Sequence, residues 1–338
     1  MSAPVEIPKY TKADFESDQD VRWCPGCGDY AILSTVQKAL STLPVRKENH
    51  VFVSGIGCSS RFPYYVSTYG FHTIHGRAPA IASGLKASRP DLTVWVVTGD
   101  GDALSIGGNH LIHALRRNFD LKILMFNNRI YGLTKGQYSP TSELGKKTKS
   151  TPLGSLDYPF NPLALALGAG ASFVARSMDT DAKHLGDIVT TAWKHKGTSF
   201  VEIFQNCNIF NDGAFTSFTE KPVRDDKQLR VEHGQKLVFA KGTKGIVRRN
   251  DRLVVGNLGQ DATLDDVLTH DATDPDPSHA FALAALDVPE FPVAMGVLRA
   301  VERPTYEEMM SEQIAQARAR KPADLHKLLH AGYTWTVK

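Results

Sequence analysis

The sequence predicts an α/β fold: a doubly wound, mostly parallel sheet with a C-terminal extension. Three observations predict it. An apolar, β-branched run with Val94, Val96 and Val97 ends abruptly in Gly99-Asp100-Gly101, a helical stretch from Ala103 to Arg117 follows, and a second apolar run, Leu121 to Phe126, ends in Asn127-Asn128. Strand, turn, helix and strand within about 35 residues make a βαβ unit, whose crossover is right-handed. Both polar clusters then lie at the carboxyl ends of neighbouring parallel strands, where open α/β sheets bind ligands. A carboxylate and a side-chain amide converging there suit a hard cation such as Mg²⁺ holding a diphosphate. The glycines let the backbone approach phosphate, and the helix N-terminus that follows favours negative charge. Taken alone, Gly-Asp-Gly is an ordinary turn. The asparagine pair at the matching strand end favours the metal.

The chain begins with a polar arm, residues 1–22. Trp23-Cys-Pro-Gly-Cys-Gly28 then opens a predicted helix, Asp29 to Leu43, with Ile32, Leu33, Val36 and Leu40 on one face. A dithiol of this form also suits a thioredoxin-type redox site, but that needs a buried strand before it, and Ala13 to Arg22 is too charged. His50 to Ser60 reads as a strand ending in a glycine turn. It imitates a dinucleotide fingerprint, yet Ser60 occupies the third glycine position and no acidic residue lies near position 75. Phe71 to Lys86 leads into a helix, with His75 and Arg77 placed to contact phosphate and Ala80, Ala82, Ser83 and Gly84 small enough for close packing.

After Asn128, a stretch rich in Gly, Ser, Thr and Pro runs to Ser142 and marks a loop that closes over a ligand. Asn161 to Gly170 and Thr180 to Lys196 read as helices, while Ala171 to Ala175 and Ser199 to Phe204 read as strands, the second running into Cys207. From residue 216 proline and charge increase, with a short strand from Arg252 to Gly256 and a terminal helix after Glu302-Arg-Pro-Thr-Tyr306. The expected units are an arm (1–22), a core domain (23–215) and a C-terminal extension (216–338) suited to a subunit interface.

The totals are those of a soluble globular protein: 338 residues, 42% hydrophobic and 22% charged, with a net charge of +3 that calls for no nucleic-acid partner. The first residues lack the apolar core of a signal peptide, and no apolar stretch is long enough to span a bilayer, so no membrane and a cytoplasmic location are expected. The chain has four cysteines, Cys24, Cys27, Cys58 and Cys207. In a cytosolic chain these suit a structural zinc or an iron–sulfur cluster better than disulfides. Cysteine number alone leaves that choice open.

Gly99-Asp-Gly101 followed by Asn127-Asn128 resembles the thiamine diphosphate signature. Trp23-Cys-Pro-Gly-Cys-Gly-Asp29, Gly55-Ile-Gly-Cys-Ser-Ser60, His75-Gly-Arg-Ala78 and Tyr131-Gly-Leu-Thr-Lys-Gly-Gln137, in that order, resemble the β subunit of 2-oxoacid:ferredoxin oxidoreductases. The likeness runs from about residue 20 to 215 and continues into Glu302-Arg-Pro-Thr-Tyr306. It implies the thiamine diphosphate-binding fold in its diphosphate-binding half. It also implies Mg²⁺ on Asp100, Asn128 and the carbonyl of Ile130, and one [4Fe–4S] cluster on Cys24, Cys27, Cys58 and Cys207. By the same likeness Ile56, Gly57, Cys58, Ser59, His75, Gly76, Arg77, Gly99, Gly101, Asp102, Gly132 and Leu133 bind the cofactor.

Lys135 matches a position that contacts the 2-oxoacid, and a cation there favours 2-oxoglutarate over pyruvate. The implied reaction is coenzyme A-dependent oxidative decarboxylation, with electrons passed to ferredoxin, and it is reversible as CO₂ fixation. No residue matches the glutamate that activates the cofactor, so an α subunit is expected as partner, in a heterodimer or a dimer of heterodimers. A cluster-free thiamine enzyme would leave the cysteines idle, and a zinc-stabilised binding module would leave the Mg²⁺ motif idle.

Overall fold

The computed structural model describes residues 7–321 and 323–337, so the first six residues of the expected arm lie outside it. Eleven strands are found among the described residues: β1 (His50–Ser54), β2 (Tyr69–His72), β3 (Thr93–Gly99), β4 (Leu121–Asn127), β5 (Phe173–Met178), β6 (Ser199–Phe204), β7 (Gln228–Val231), β8 (Val238–Phe239), β9 (Lys244–Arg249), β10 (Arg252–Asn257) and β11 (Val293–Ala300). Eight of them form one sheet in the order β2-β1-β3-β4-β6-β5-β11-β7, and β10-β9-β8 form a small antiparallel sheet. The pairs from β2 through β5 are parallel, whereas β11 runs antiparallel to β5.

Alternation along the strands builds two cores. Val94 and Val96 of β3 face the helices Ala78–Ser88 and Gly108–Arg117 through Ala82, Leu111 and Leu115. Trp95 and Val97 point the other way, onto Ile32, Val36 and Leu40 of the Asp29–Leu40 helix and Leu185 and Val189 of the Ala182–Lys194 helix. Strand side chains that alternate between two covered faces are what a doubly wound sheet requires.

The expected helix from Ala103 to Arg117 is corrected in one respect. Helix begins at Asp100, stops at Leu104 and resumes at Gly108. The break is steric: a Cβ on Gly76 would stand 2.5 Å from the Cα of Gly107, and one on Gly107 would stand 2.3 Å from the carbonyl oxygen of Asp102. The backbone opens there to admit the turn that carries His75.

The segment after residue 216 does more than extend the core. Strands β11 and β7 complete the main sheet beyond β5. A helix, Tyr306–Arg320, starts at a capping box formed by Thr305 and Glu308 and is tied to the start of β4, because Glu307 accepts from the backbone N–H of Asp120. No helix among the described residues is long and apolar enough to cross a membrane.

Candidate cofactor and cluster site

β1, β3, β4 and β6 are consecutive neighbours and end on the same edge of the sheet. Each is followed by one of the segments singled out above: Gly55-Ile56-Gly57-Cys58, Asp100-Gly101, Asn128 and Gln205-Asn206-Cys207. Parallel pairing therefore gathers residues from Gly55 to Cys207, about 150 positions apart, into one place, at the strand ends where such sheets bind ligands.

A cleft there is walled by Ile56 to Ser59, His75, Gly99 to Asp102, Asn128, Ile130 and Tyr131 to Thr134. Asp100 is buried, and its Oδ2 accepts hydroxyl bonds from Ser139 (2.5 Å) and Thr141 (2.6 Å). Burial pushes its pKa up, and no cationic side chain among the described residues offsets the charge. Asn128 lies across the cleft, its amide donating to Gln205 (2.9 Å) and its Oδ1 accepting from the N–H of Ile130 (3.2 Å). The hydroxyls of Ser59 and Ser60 are buried without a partner among the described residues. Gly57 has φ +126, a conformation suited to glycine.

Asp102 has a different setting from Asp100. Its Oδ1 accepts from His75 Nδ1 (2.5 Å), Gly76 N (2.7 Å) and Ile56 N (3.1 Å), and its Oδ2 from the Thr98 hydroxyl (2.6 Å). The carboxylate thus fastens two cleft-forming turns to β3 and leaves the second nitrogen of His75 free of that bond. Gly76 is the hinge of one of these turns, with φ +71, and it does not line the cleft. Arg77 likewise turns aside, donating to the carbonyls of His75 and Ile106 (3.2 Å each).

All four cysteines line a second cavity, together with Arg61, Lys135, Gln205 and Phe210. Cys58, Asn128, Gly132 and Leu133 belong to both cavities, so one thin wall divides them. The Cys-Pro-Gly-Cys loop is tied to the Cys207 segment by Gly28 N to Asn206 O (3.1 Å) and by Asn208 Nδ2 to Pro25 O (2.7 Å). Cys58 is held from the other side, where Trp23 Nε1 donates to its carbonyl (2.7 Å). Cys24 is exposed and the other three are partly buried. Burial pushes the Cys58 thiol up to about 12 and the Cys27 thiol higher still. As free thiols they stay protonated, and a thiolate here needs positive charge from a metal.

Lys135 is exposed and lines the cysteine cavity, at φ +71. Two groups of residues escape sequence reasoning. Ser139 and Thr141 read as loop residues but lie buried against Asp100. Asp29 reads as a helix start but is a buried carboxyl on the cleft wall, raised to about 7 by burial and without a partner among the described residues.

Fold and cleft define a thiamine pyrophosphate enzyme domain: residues 55–203 match the family model for the thiamine pyrophosphate enzyme C-terminal TPP-binding domain. The 2-oxoglutarate oxidoreductase subunit KorB of Mycobacterium tuberculosis is 56% identical over 329 residues, covering 96% of this chain and 88% of that one. The 2-oxoglutarate synthase subunit KorB of Methanocaldococcus jannaschii is 43% identical, over 70% of this chain and 86% of its own. A solved structure, 2-oxoglutarate:ferredoxin oxidoreductase from Magnetococcus marinus with 2-oxoglutarate, coenzyme A and succinyl-CoA bound, aligns with a TM-score of 0.77 at 32% identity, over 97% of this chain and 98% of that chain. The chain belongs to the β-subunit family of the 2-oxoacid:ferredoxin oxidoreductases.

Proposed function

We propose that this chain is the cofactor-holding half of a 2-oxoglutarate:ferredoxin oxidoreductase, converting 2-oxoglutarate and coenzyme A to succinyl-CoA and CO₂ in complex with an α subunit. The observation that carries the reading is the shared wall, in which Cys58 lines both the cleft beneath Asp100 and the cavity of the four thiols. Thiamine diphosphate would supply the electron sink for decarboxylation, and a [4Fe–4S] cluster the single-electron path to ferredoxin.

The residues fit these groups. Asp100 offers a carboxylate whose Oδ1 has no hydroxyl donor and Asn128 an amide oxygen, the hard donors Mg²⁺ takes. The unpartnered hydroxyl of Ser59 on the cleft wall fits a diphosphate oxygen, and His75, oriented by Asp102, faces the same cleft. Among the described residues no three His, Cys, Asp or Glu side chains converge tightly enough to grip one ion. Four thiols lining one cavity fit the four Cys ligands of a polyatomic cluster. Lys135, in the same loop as Gly132 and Leu133, supplies the cation that we propose meets the distal carboxylate of 2-oxoglutarate. The names of the relatives point to the same substrate.

The test is anaerobic co-purification with the α subunit. Iron and sulfide at about four each per chain, absorbance at ~400 nm, and coenzyme A-dependent reduction of a one-electron acceptor by 2-oxoglutarate are expected. Colourless anaerobic protein carrying stoichiometric zinc would overturn the proposal.

A further inference from the structure

We infer that Ser139 and Thr141 are positioning residues for the metal ligands: together with Ser142 they form a buried hydroxyl turn that sets the geometry in which Asp100 and Asn128 meet Mg²⁺. The inference rests on the reading of the cleft as a Mg²⁺–diphosphate site.

The turn consists of Ser139-Pro140-Thr141-Ser142, and its three hydroxyl residues are each no more than 3% exposed although the surrounding segment is a loop. Two hydroxyls converge on one carboxylate oxygen, Asp100 Oδ2, which leaves Oδ1 without a hydroxyl donor. The third reaches the other strand end, where the Ser142 hydroxyl donates to the carbonyl of Arg129 (2.6 Å) and accepts from the N–H of Ser139 (2.9 Å). The carbonyls of Asn128 and Arg129 also accept from Asn211 Nδ2, and the Asn211 N–H donates to the carbonyl of Cys207. One turn therefore spans from the end of β3 to the end of β4 and continues to the cysteine segment.

Proton accounting adds a constraint. The Thr141 hydroxyl has one hydrogen and two acceptors, Asp100 Oδ2 at 2.6 Å and Asn127 Oδ1 at 2.9 Å. The charged and closer oxygen takes it, and Asn127 Oδ1 keeps the N–H of Arg129 at 3.2 Å. Mg²⁺ demands near-ideal octahedral geometry, so a carboxylate free to rotate is a poorer ligand than one fixed by two hydroxyls. Outer-shell partners of metal ligands change affinity by roughly 10- to 100-fold when removed.

The experiment uses the αβ complex, with Mg²⁺ titrated calorimetrically at saturating thiamine diphosphate and unfolding followed separately without Mg²⁺. Thr141→Val, which removes the hydroxyl and keeps the shape, is expected to weaken Mg²⁺ at least about tenfold, and Thr141→Ser to stay within about twofold of wild type. Equal Mg²⁺ affinity in wild type and Thr141→Val, whatever happens to the unfolding temperature, overturns the inference and reduces the turn to packing. If Thr141→Val does not fold, Ser139→Ala decides by the same criterion. Wild-type complex that takes up no Mg²⁺ at all instead defeats the reading of the cleft, and this inference falls with it.

Discussion

Asp102 offers the sharpest test of how the cleft is built. Its carboxylate accepts three bonds on Oδ1, from His75, Gly76 and Ile56, and one on Oδ2, from Thr98. In Asp102→Asn the amide nitrogen goes to the Oδ2 side, where the Thr98 hydroxyl can turn and accept. The three remaining donors then face a neutral oxygen. Bonds to charged groups contribute ~1.5–3 kcal/mol and neutral ones ~0.5–1.5, so the change costs about 1 kcal/mol for each, near 3 kcal/mol in all. Asp102→Ala strands the buried Gly76 N–H and Thr98 hydroxyl at ~1–3 kcal/mol each and opens the part-exposed His75 and Ile56 donors to water at a smaller cost, about 4 kcal/mol in all. With an unfolding entropy of roughly 2.1 cal/mol/K per residue, each kcal/mol lowers the unfolding temperature of a 338-residue chain by about 1.4 °C, giving a drop on the order of 4 °C for Asn and more for Ala. Scanning calorimetry of the complex, with cofactor retention measured alongside, checks both. If Asp102→Ala unfolds at the wild-type temperature yet loses the cofactor, the carboxylate is a direct ligand and the buttress argument is wrong.

Three further outcomes follow from the same geometry. Gly101→Ala places a Cβ 2.1 Å from Cε1 of Tyr131, whose hydroxyl donates to the Gly101 carbonyl, so the ring must leave the cleft wall. Cofactor retention should fall with a destabilisation of ~1–3 kcal/mol, and a variant that keeps both refutes the packing. His50, His184 and His195 are each pulled down to about 4 by burial, and His50 Nδ1 must stay unprotonated to accept from Trp95 Nε1. Their contribution is intact above ~6.5, the unfolded value, and is lost as pH falls towards 4, at up to ~1.4 kcal/mol per pH unit for each group. Unfolding midpoints should therefore hold between about pH 7.5 and 6.5 and decline from about 6.5 to 5, and a profile flat over the lower range contradicts the assignment. Lys135→Ala in the complex should raise KM for 2-oxoglutarate more than for pyruvate, and an equal effect on both means that Lys135 does not meet the distal carboxylate.

What the sequence conveys here, and what it withholds, divides along the range of the interactions. The strands on either side of Gly99-Asp-Gly101 and Asn127-Asn128 are readable because burial on two faces makes them continuous apolar runs, and the turn residues punctuate them. The four cysteines are readable as a set because there are no others. Strand β11 is apolar enough to notice, but its place beside β5, more than 100 residues upstream, depends on pairing that no local pattern encodes. The break between Leu104 and Gly108 exists because Gly76 must approach Gly107, a contact between segments some 30 residues apart. Ser139 and Thr141 illustrate the same gap. Hydroxyls in a Pro-containing stretch carry the composition of a solvated loop, and only the fold brings them under Asp100.

Asp100 and Asp102 stand two residues apart in one short helix, both buried, and the comparison between them locates the chemistry. A buried carboxylate is tolerated when its charge is answered, by donors or by a cation. Asp102 is answered entirely from within the chain, by two backbone N–H groups, one imidazole and one hydroxyl, and it needs nothing more. Asp100 receives two neutral hydroxyls on a single oxygen, with further help from the backbone N–H groups of Gly101 and of Asp100 itself, yet burial still leaves its pKa raised. Its charge is offset only in part, and on the proposed reading a divalent cation would supply the rest, in a cleft that Cys58 and Ser59, with its unpartnered hydroxyl, also line. How the donors are arranged, two hydroxyls crowded on one oxygen of Asp100 against four donors spread over both oxygens of Asp102, therefore separates the two better than burial or motif position does, and it fits support of the cleft by Asp102 and the proposed capture of the metal by Asp100.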